Sequence, residues 1–392
     1  MALTHGLKIE KSIDQKSKER FASSLRGYVL NDLAIEMRAD FESNLAAEGS
    51  NLSLLDGTAV HKAIKRRPKF QLYSSLRCAA QELVWHTVID SINSSAGHIQ
   101  ECGEKLINNG SDSLGFLMLD DTLELPDYYS AVDVHLMPGN YQGKNDTGIL
   151  PGAVYDNGFN VFAFGAMGTD LDDIGCSMAN FVRLKFPELK PKVIVDVGCT
   201  IGHNTLPWKQ VFPEANVSGI DMAGACLKYA HARAESLGIQ VDFLQQNSSH
   251  LSFADNSVDV VFSSMFLHEL PKPYIKQFLA EAHRVLKPGG IMLHMELPPN
   301  SALTPYDSFY LDWDSYYNNE PFYKSFRDQD YNKLCSEAGF APSSFFQSVM
   351  PRYTYVPEEN FKAVISTEAE FDEDTGRLSN DIQWYGFGSQ KL

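Results

Sequence analysis

The stretch that decides the fold is Val193-Ile-Val-Asp-Val-Gly-Cys-Thr-Ile-Gly202. Apolar residues surround Asp196 in its first half, which is typical of a parallel strand that is buried on both faces. Gly198 and Gly202 then allow the backbone to turn sharply and to approach a ligand closely. The stretch therefore predicts a buried strand, a tight turn and the start of a helix.

The same rhythm continues along the chain from about residue 170. Strand patterns near 192–197, 216–220, 240–244, 258–263 and 290–296 alternate with helical patterns near 202–211, 223–237 and 272–287, and a last strand is predicted near 381–388. Alternating strands and helices predict an α/β fold with a parallel sheet and helices on both faces. Ligands of such sheets bind beyond the carboxyl ends of the strands.

Three later motifs fall in order behind the glycine turn. They are Gly219-Ile-Asp221, Ala254-Asp-Asn-Ser-Val-Asp-Val-Val-Phe262 and Arg284-Val-Leu-Lys-Pro-Gly-Gly290. In these residues the chain resembles the class I S-adenosylmethionine-dependent methyltransferases over about residues 170–350, particularly the small-molecule branch that includes the ubiquinone and menaquinone biosynthesis enzymes. The resemblance implies a Rossmann-like sheet, S-adenosyl-L-methionine as the cofactor and methyl transfer to a small molecule. One departure is Thr200, which stands where the family usually has the middle glycine of its turn.

The resemblance also implies a set of cofactor-binding residues at the strand ends. Asp221 is expected to accept hydrogen bonds from the ribose hydroxyls, although it could instead cap the next helix. Asn247 could accept the adenine amino group or form a turn, and Asp196 could contact the amino-acid end of the cofactor or the turn backbone. The full predicted set is Asp196, Gly198, Cys199, Gly202, Asp221, Met222, Asn247, Ser248 and Ser263.

His268 is the predicted catalytic residue. It follows the fourth strand of the core, where the family presents catalytic groups, and histidine exchanges a proton near neutral pH. A packing or capping role is the alternative, and Glu269, His294 and Glu296 are weaker candidates nearby. A hydroxyl acceptor would require such a base, whereas a neutral amine or a thiolate would not.

The segment from Tyr306 to Phe326 has nine aromatic and four acidic residues in 21 positions. It lies where relatives insert a substrate lid, and aromatic faces beside carboxylates can enclose a flat ring or a cation. The predicted substrate-binding residues are Tyr306, Trp313, Tyr316 and Tyr317. A packed structural cap is the alternative. The stretches Tyr155–Gly158 and Phe162–Gly168 are expected to form another part of the lid, with an ordinary connecting segment as the alternative.

Composition limits the classes of partner. The chain has 33 basic and 50 acidic residues, so its net charge of −17 disfavours nucleic acid. Its six scattered cysteines form no zinc-type cluster, so no metal is predicted. The N-terminus lacks an apolar signal core and no stretch reaches the length of a membrane span. These features together predict a cytoplasmic enzyme with a small-molecule acceptor, and they are compatible with a homodimer.

At 392 residues the chain is long enough for two parts. Residues 1–150 are predicted to be a mainly helical N-terminal region of unknown role. Residues 151–392 are predicted to be the cofactor-binding methyltransferase domain, with a lid insertion at about 298–330.

Two other classes of function are alternatives for such a sheet. A nicotinamide-dependent oxidoreductase would need Gly-x-Gly-x-x-Gly to receive a pyrophosphate, but the turn here reads Gly198-x-x-x-Gly202 and Asp196 would repel that group. A non-catalytic cofactor-binding or assembly protein would keep the same fold without turnover. The acidic residues at the strand ends argue against an inactive site.

Overall fold

The computed structural model describes residues 5–48, 56–143, 148–378 and 382–392. Its N-terminal region is helical, as predicted. Ser12 begins the first helix with a capping box, in which it bonds reciprocally with Gln15, and Pro68 begins the longest helix at a position that proline favours. The helices of this region are α1 (Ile13–Gly27), which continues through a π-helical segment (Tyr28–Leu33) into α2 (Ala34–Glu48), then α3 (Gly57–Ile64), α4 (Pro68–Ser94) and α5 (Ala96–Ile107).

One eight-stranded sheet forms the centre of the described structure. Its strands are β1 (Leu117–Met118), β2 (Val193–Val197), β3 (Asn216–Asp221), β4 (Asp242–Gln245), β5 (Val258–Ser264), β6 (Leu286–Glu296), β7 (Phe345–Pro351) and β8 (Gln383–Gln390). The order is β1-β4-β3-β2-β5-β6-β8-β7, and only β8 runs antiparallel to its neighbours. The strand order reverses at β2, whose neighbours are β3 and β5. The predicted Rossmann-like α/β fold is therefore confirmed, and its ligand crevice is expected at the end of β2.

Helices cover both faces of the sheet. Within β2, Ile194 faces one hydrophobic core together with Phe181 and Trp208, whereas Val195 faces a second core with Phe278. Burial on both sides explains why β2 has no polar residue other than Asp196. The helices of this part are α6 (Leu150–Phe162), α7 (Asp173–Lys185), α8 (Leu206–Val211), α9 (Gly224–Leu237), α10 (Lys272–Val285), α11 (Pro305–Tyr317), α12 (Tyr323–Arg327), α13 (Tyr331–Glu337) and α14 (Glu358–Ile365).

The N-terminal region is packed into the rest of the molecule. Strand β1 extends the sheet by pairing with β4. Phe41, Phe70 and Tyr73 share one hydrophobic core with Phe309 and other residues of α11. Helix α6 begins at the predicted boundary near residue 150, yet residues on both sides of that boundary build the same sheet. None of the described helices is long and apolar enough to cross a membrane.

Candidate functional site

A large cavity lies at the carboxyl ends of the central strands, where the strand order reverses. Its walls come from the glycine turn, the ends of β3 to β6, helices α6 and α11, and the N-terminal region. Seven of the predicted site residues line it: Asp196, Gly198, Cys199, Asp221, Met222, Ser248 and His268. We call the part of the wall formed by Asp196, the glycine turn and Asp221 the cofactor side.

The glycine turn adopts left-handed backbone angles at three positions. Gly198 has φ 79° and Gly202 has φ 71°, and a Cβ at Gly198 would lie 2.4 Å from the ring of Phe266. Thr200 has φ 49°, so it takes the conformation that glycine adopts most easily, at a cost of roughly 1–2 kcal/mol. The Asp221 carboxylate accepts the Thr200 N–H at 2.9 Å and so helps to hold this strained residue.

Asp221 performs the capping role that was the alternative to ribose binding. Its two oxygens accept the N–H groups of Thr200 and Ala223, and burial raises its pKa although these bonds oppose the rise. The carboxylate nevertheless lines the cavity. Because each oxygen has two lone pairs, capping leaves acceptor capacity toward a ligand hydroxyl. The two roles are compatible.

Asp196 is a buried acid at the end of β2. It accepts a hydrogen bond from Thr205 Oγ1 at 2.6 Å, and burial raises its pKa to about 7 although that bond opposes the shift. A carboxyl group with such a pKa is easily ionised by a nearby cation. Asp196 is therefore suited to face a positively charged ligand group.

Three predicted cofactor residues do not line the cavity. Asn247 accepts the Ser249 N–H at 2.9 Å and so forms the turn that was its alternative role. Gly202 packs on Phe243, and the Ser263 side chain bonds to His294 on the far face of β5. Their neighbours Gln246, Ser248 and Ser264 face the cavity instead. Ser263 points away from the cavity and Ser264 points into it, because successive residues of a strand point to opposite faces.

His268 and Glu296 form a buried couple at the cavity wall. The ring Nδ1 lies 2.6 Å from Glu296 Oε2, while Glu296 Oε1 accepts the N–H groups of Phe266 and Leu267. Burial lowers the pKa of His268, but Glu296 outweighs that effect with help from Glu320 and Glu269, so the pKa is raised. Nε2 has no hydrogen-bond partner among the described residues. Glu296 thus orients a histidine whose other nitrogen is free to act on a ligand.

A second group of polar side chains lies beside this couple. Tyr141 donates a hydrogen bond to Glu269 at 2.6 Å, and His135 lies 2.9 Å from Glu320 and 3.6 Å from Glu269. Burial raises the pKa of Glu269, and Glu320 adds to the rise. Across the described residues, no group of three or more His, Cys, Asp or Glu side chains is arranged to hold a metal ion.

The four predicted substrate aromatics lie away from the cavity. Tyr306 packs on Phe41, and Trp313 packs on His61 at 4.2 Å between ring centres, while Tyr316 and Tyr317 contact Trp313. This placement corrects the prediction, because these residues occupy the side of α11 that faces the N-terminal helices or solvent.

Helix geometry explains the difference. Consecutive residues of a helix are about 100° apart around its axis, so Leu311 and Asp314 point in other directions than Trp313 and line the cavity. Tyr310, one turn before Trp313, reaches the cavity from the edge of the face that packs on Tyr73. The insertion therefore contributes to the wall, but through another face. The predicted lid stretches also contribute, through Tyr155 and Phe162 of α6.

Several other wall residues were not predicted from the sequence. Arg26 and Leu30 come from α1 and the π-helical segment, and Tyr128, Tyr129 and Tyr141 come from irregular chain before α6. Their only signal would have been the aromatic content of a loop-rich stretch. Arg26 has the spacing of an ordinary polar helix residue. We call the wall formed by Arg26, Leu30, α11 and the chain before β8 the acceptor side.

Comparison with known proteins identifies the type of domain. Residues 194–290 match the family model described as a methyltransferase domain. The malonyl-[acyl-carrier protein] O-methyltransferase 1 of Coxiella burnetii is 30% identical over 205 residues, which are 52% of this chain and 66% of that protein.

Two further relatives match shorter stretches. The demethylmenaquinone methyltransferase of Thermus thermophilus is 34% identical over 29% of this chain and 50% of its own length. The phthiotriol/phenolphthiotriol dimycocerosates methyltransferase 1 of Mycobacterium ulcerans is 31% identical over 31% of this chain and 43% of its own length. The chain thus spans less than two thirds of the length of each relative. The predicted resemblance is confirmed: residues 194–290 match a methyltransferase domain, and they lie in the Rossmann-like sheet.

Proposed function

We propose that this protein transfers a methyl group from S-adenosyl-L-methionine to a small-molecule acceptor. The observation that carries the proposal is a continuous cavity between the acidic strand ends of a methyltransferase domain and a histidine held by a buried glutamate. The cofactor side provides Asp196 and Asp221, and apolar residues such as Met265, Met295 and Leu297 line other parts of the cavity. Such a site can hold the two reactants against each other and exclude water.

The residues present fit the cofactor. Asp221 retains acceptor capacity for the ribose hydroxyls, and Asp196 faces the cavity as an acid that a cationic amino group would ionise. Gln246 and Ser248 replace Asn247 as the polar residues for the adenine end, because they line the cavity. Phe266 packs so closely on Gly198 that a larger residue would not fit there. The absence of a side chain at this position lets the turn backbone approach the ligand.

The chain's own part in the reaction is positioning and proton transfer. When bound, the cofactor supplies an already activated methyl group on its sulfonium. With Nδ1 donating to Glu296, His268 Nε2 is the acceptor that would take the proton of a hydroxyl acceptor. An amine or a thiolate acceptor would use the same site without this transfer. The apolar wall supports a small organic acceptor rather than a nucleic acid.

The first experiment tests cofactor identity. Isothermal titration calorimetry should detect binding of S-adenosylhomocysteine to the protein and no binding of NADH. Binding of NADH alone would instead support the oxidoreductase alternative.

A second experiment tests turnover. The protein is incubated with metabolite extract and S-adenosylmethionine that carries a labelled methyl group. Transfer of label to an extractable metabolite is expected. Tight binding of S-adenosylhomocysteine without any transfer, across extracts from several sources, would support the non-catalytic alternative.

The remaining predictions stay proposals that other features support. All six cysteines lie within the described residues and are free thiols, which fits the reducing conditions of the cytoplasm. The homodimer stays a prediction, which sedimentation or light scattering tests. The role proposed for residues before 150 is to close the cavity, because Arg26 and Leu30 line it.

A further inference from the structure

Arg26 is a buried cation without an ion pair among the described residues. Its side chain is 1% exposed, although it lines the cavity. Nε donates to the carbonyl of Phe162 and Nη1 donates to Gln81 Oε1, while the guanidinium lies 3.7 Å above the Phe162 ring. Both hydrogen bonds go to neutral oxygens. Since burying an unpaired charge is costly, this arrangement is best completed by an anion.

The surrounding charged residues do not supply an anion for Arg26. Asp314 lies near Arg26, but Arg77 already binds it at 2.5 Å. Despite burial, Arg77 and then Arg26 and Arg377 lower the pKa of Asp314, so one carboxylate serves three guanidinium groups. Burial and Arg77 together hold the pKa of Arg26 well below its ordinary value. Three guanidinium groups therefore lie near a single carboxylate in this part of the molecule.

Arg377 adds a second cation to the same wall. It lines the cavity beside Tyr310, whose ring lies 4.2 Å from the guanidinium carbon. Its Nη1 donates a long hydrogen bond of 3.5 Å to the backbone oxygen of Glu373. Two guanidinium groups from opposite ends of the chain thus face one cavity.

Several other residues of the cavity wall are apolar. They include Met265, Met295, Leu297, Leu311, Leu378 and Trp384. His268 belongs to a different wall, since it contacts Glu296 and Tyr323 rather than α1 or α4. A ligand that fits both features has an apolar body and an anionic end.

We propose that Arg26 and Arg377 form an anion subsite that anchors a carboxylate-bearing, otherwise apolar acceptor. This inference rests on the proposed methyl transfer, for which it names the class of acceptor. The anchored carboxylate is remote from the atom that receives the methyl group, which lies at His268. A carboxylate suits a guanidinium because paired N–H groups bind two oxygens at once.

The test uses straight-chain carboxylates from hexanoate to dodecanoate, each compared with its neutral amide. They are titrated by calorimetry into the full-length protein saturated with S-adenosylhomocysteine. We expect at least one carboxylate to bind about tenfold more tightly than its amide, as a charge-assisted pair predicts. Arg26→Gln should bring that ratio close to one, and Arg26→Lys should restore part of it.

Controls separate the subsite from folding. Arg284→Gln removes a partly exposed arginine that pairs with Asp255 and Glu281 away from the cavity, and it should keep the parental ratio. Where Arg26→Gln does not fold, Arg377→Gln is the replacement and should also lower the ratio. Thermal unfolding and binding of S-adenosylhomocysteine are measured for every variant.

The outcomes distinguish three failures. Equal binding of acids and amides by the parent, or a ratio that both glutamine variants retain, would overturn the subsite while leaving methyl transfer standing. A folded Arg26→Gln variant that loses S-adenosylhomocysteine would assign the arginine to the cofactor's own carboxylate, which also overturns the proposal. A parent protein that binds no S-adenosylhomocysteine would overturn the proposed function itself.

Discussion

The cofactor side and the acceptor side of the cavity are built in different ways. The cofactor side is local: Asp196, the glycine turn and Asp221 lie within 30 residues, and their meeting follows from the pairing of β2 with β3. The acceptor side joins distant parts of the chain, such as Arg77 and Asp314, which are 237 residues apart. A motif can therefore indicate the first side, whereas only tertiary packing forms the second.

The largest expected effect concerns the couple between the two sides. For a hydroxyl acceptor, His268→Ala should lower kcat by roughly 10²- to 10⁴-fold, since a positioned base is lost. For a thiolate or an amine the loss should be small. Rates with the acceptor found in the extract experiment provide the measurement. A uniform small loss for a hydroxyl acceptor would mean that His268 is structural.

The same couple predicts a pH dependence. The pKa of His268 is raised, so its neutral, proton-accepting form should develop only above the ordinary value of about 6.5. Removing the Glu296 charge by Glu296→Gln should move the ring titration to lower pH. Nuclear magnetic resonance of the labelled imidazole measures this without an acceptor. An unchanged midpoint would contradict the electrostatic role of Glu296.

The cofactor side is tested by Asp221→Ala, which should weaken S-adenosylhomocysteine binding by about 2–4 kcal/mol through the loss of two charge-assisted bonds. The matched control is Asp259→Ala. Asp259 also accepts two backbone N–H groups, from Lys192 and Val193, but it lies at the opposite end of the sheet. Both changes should lower stability, and only the first should lower affinity. If Asp221→Ala binds S-adenosylhomocysteine as tightly as the parent protein, Asp221 caps the backbone and does not bind the ribose.

The acceptor side is tested within α11 by a pair of changes. Trp313→Ala should destabilise the protein by roughly 2–3 kcal/mol, because its ring packs on His61 and Phe70. It should leave ligand binding intact. Leu311→Ala, on the cavity face, should instead weaken the carboxylate probes. Thermal unfolding and calorimetry are the measurements. Altered binding of the carboxylate probes by the Trp313 variant would support the prediction that Trp313 binds the substrate.

The smallest expected effect is a stability change at Asp196. Its folded pKa of about 7 exceeds the usual unfolded value, so its contribution to stability is full at low pH and is lost as pH rises through about 7. Asp196→Asn should remove this loss and stabilise the ligand-free protein by roughly 1–3 kcal/mol at pH 8, with no gain near pH 4. Denaturant unfolding across pH measures it. A gain independent of pH would contradict the assigned titration.

The sequence predicted the sheet and its order of motifs, because period and glycine turns are local signals. Six of the nine predicted cofactor residues also line one cavity. The sequence could not choose between Ser263 and Ser264, because a register of one residue exchanges the faces of a strand. Nor could it choose the face of α11, since both Trp313 and Leu311 are apolar and both faces meet other parts of the chain. Arg26 carried no signal at all, because its environment is formed by α4 and α6.

The long-range ion pairs of the acceptor side also bear on how the molecule folds. Arg38 of α2 binds Asp307, 269 residues later, and Arg77 of α4 binds Asp314. Closing such long loops costs chain entropy before any contact repays it, so contacts of high sequence separation form slowly. During folding, we expect the amide groups of the sheet around β2 to become protected from hydrogen exchange before those of the acceptor side. The acceptor pocket would then be completed only when the two ends of the chain meet.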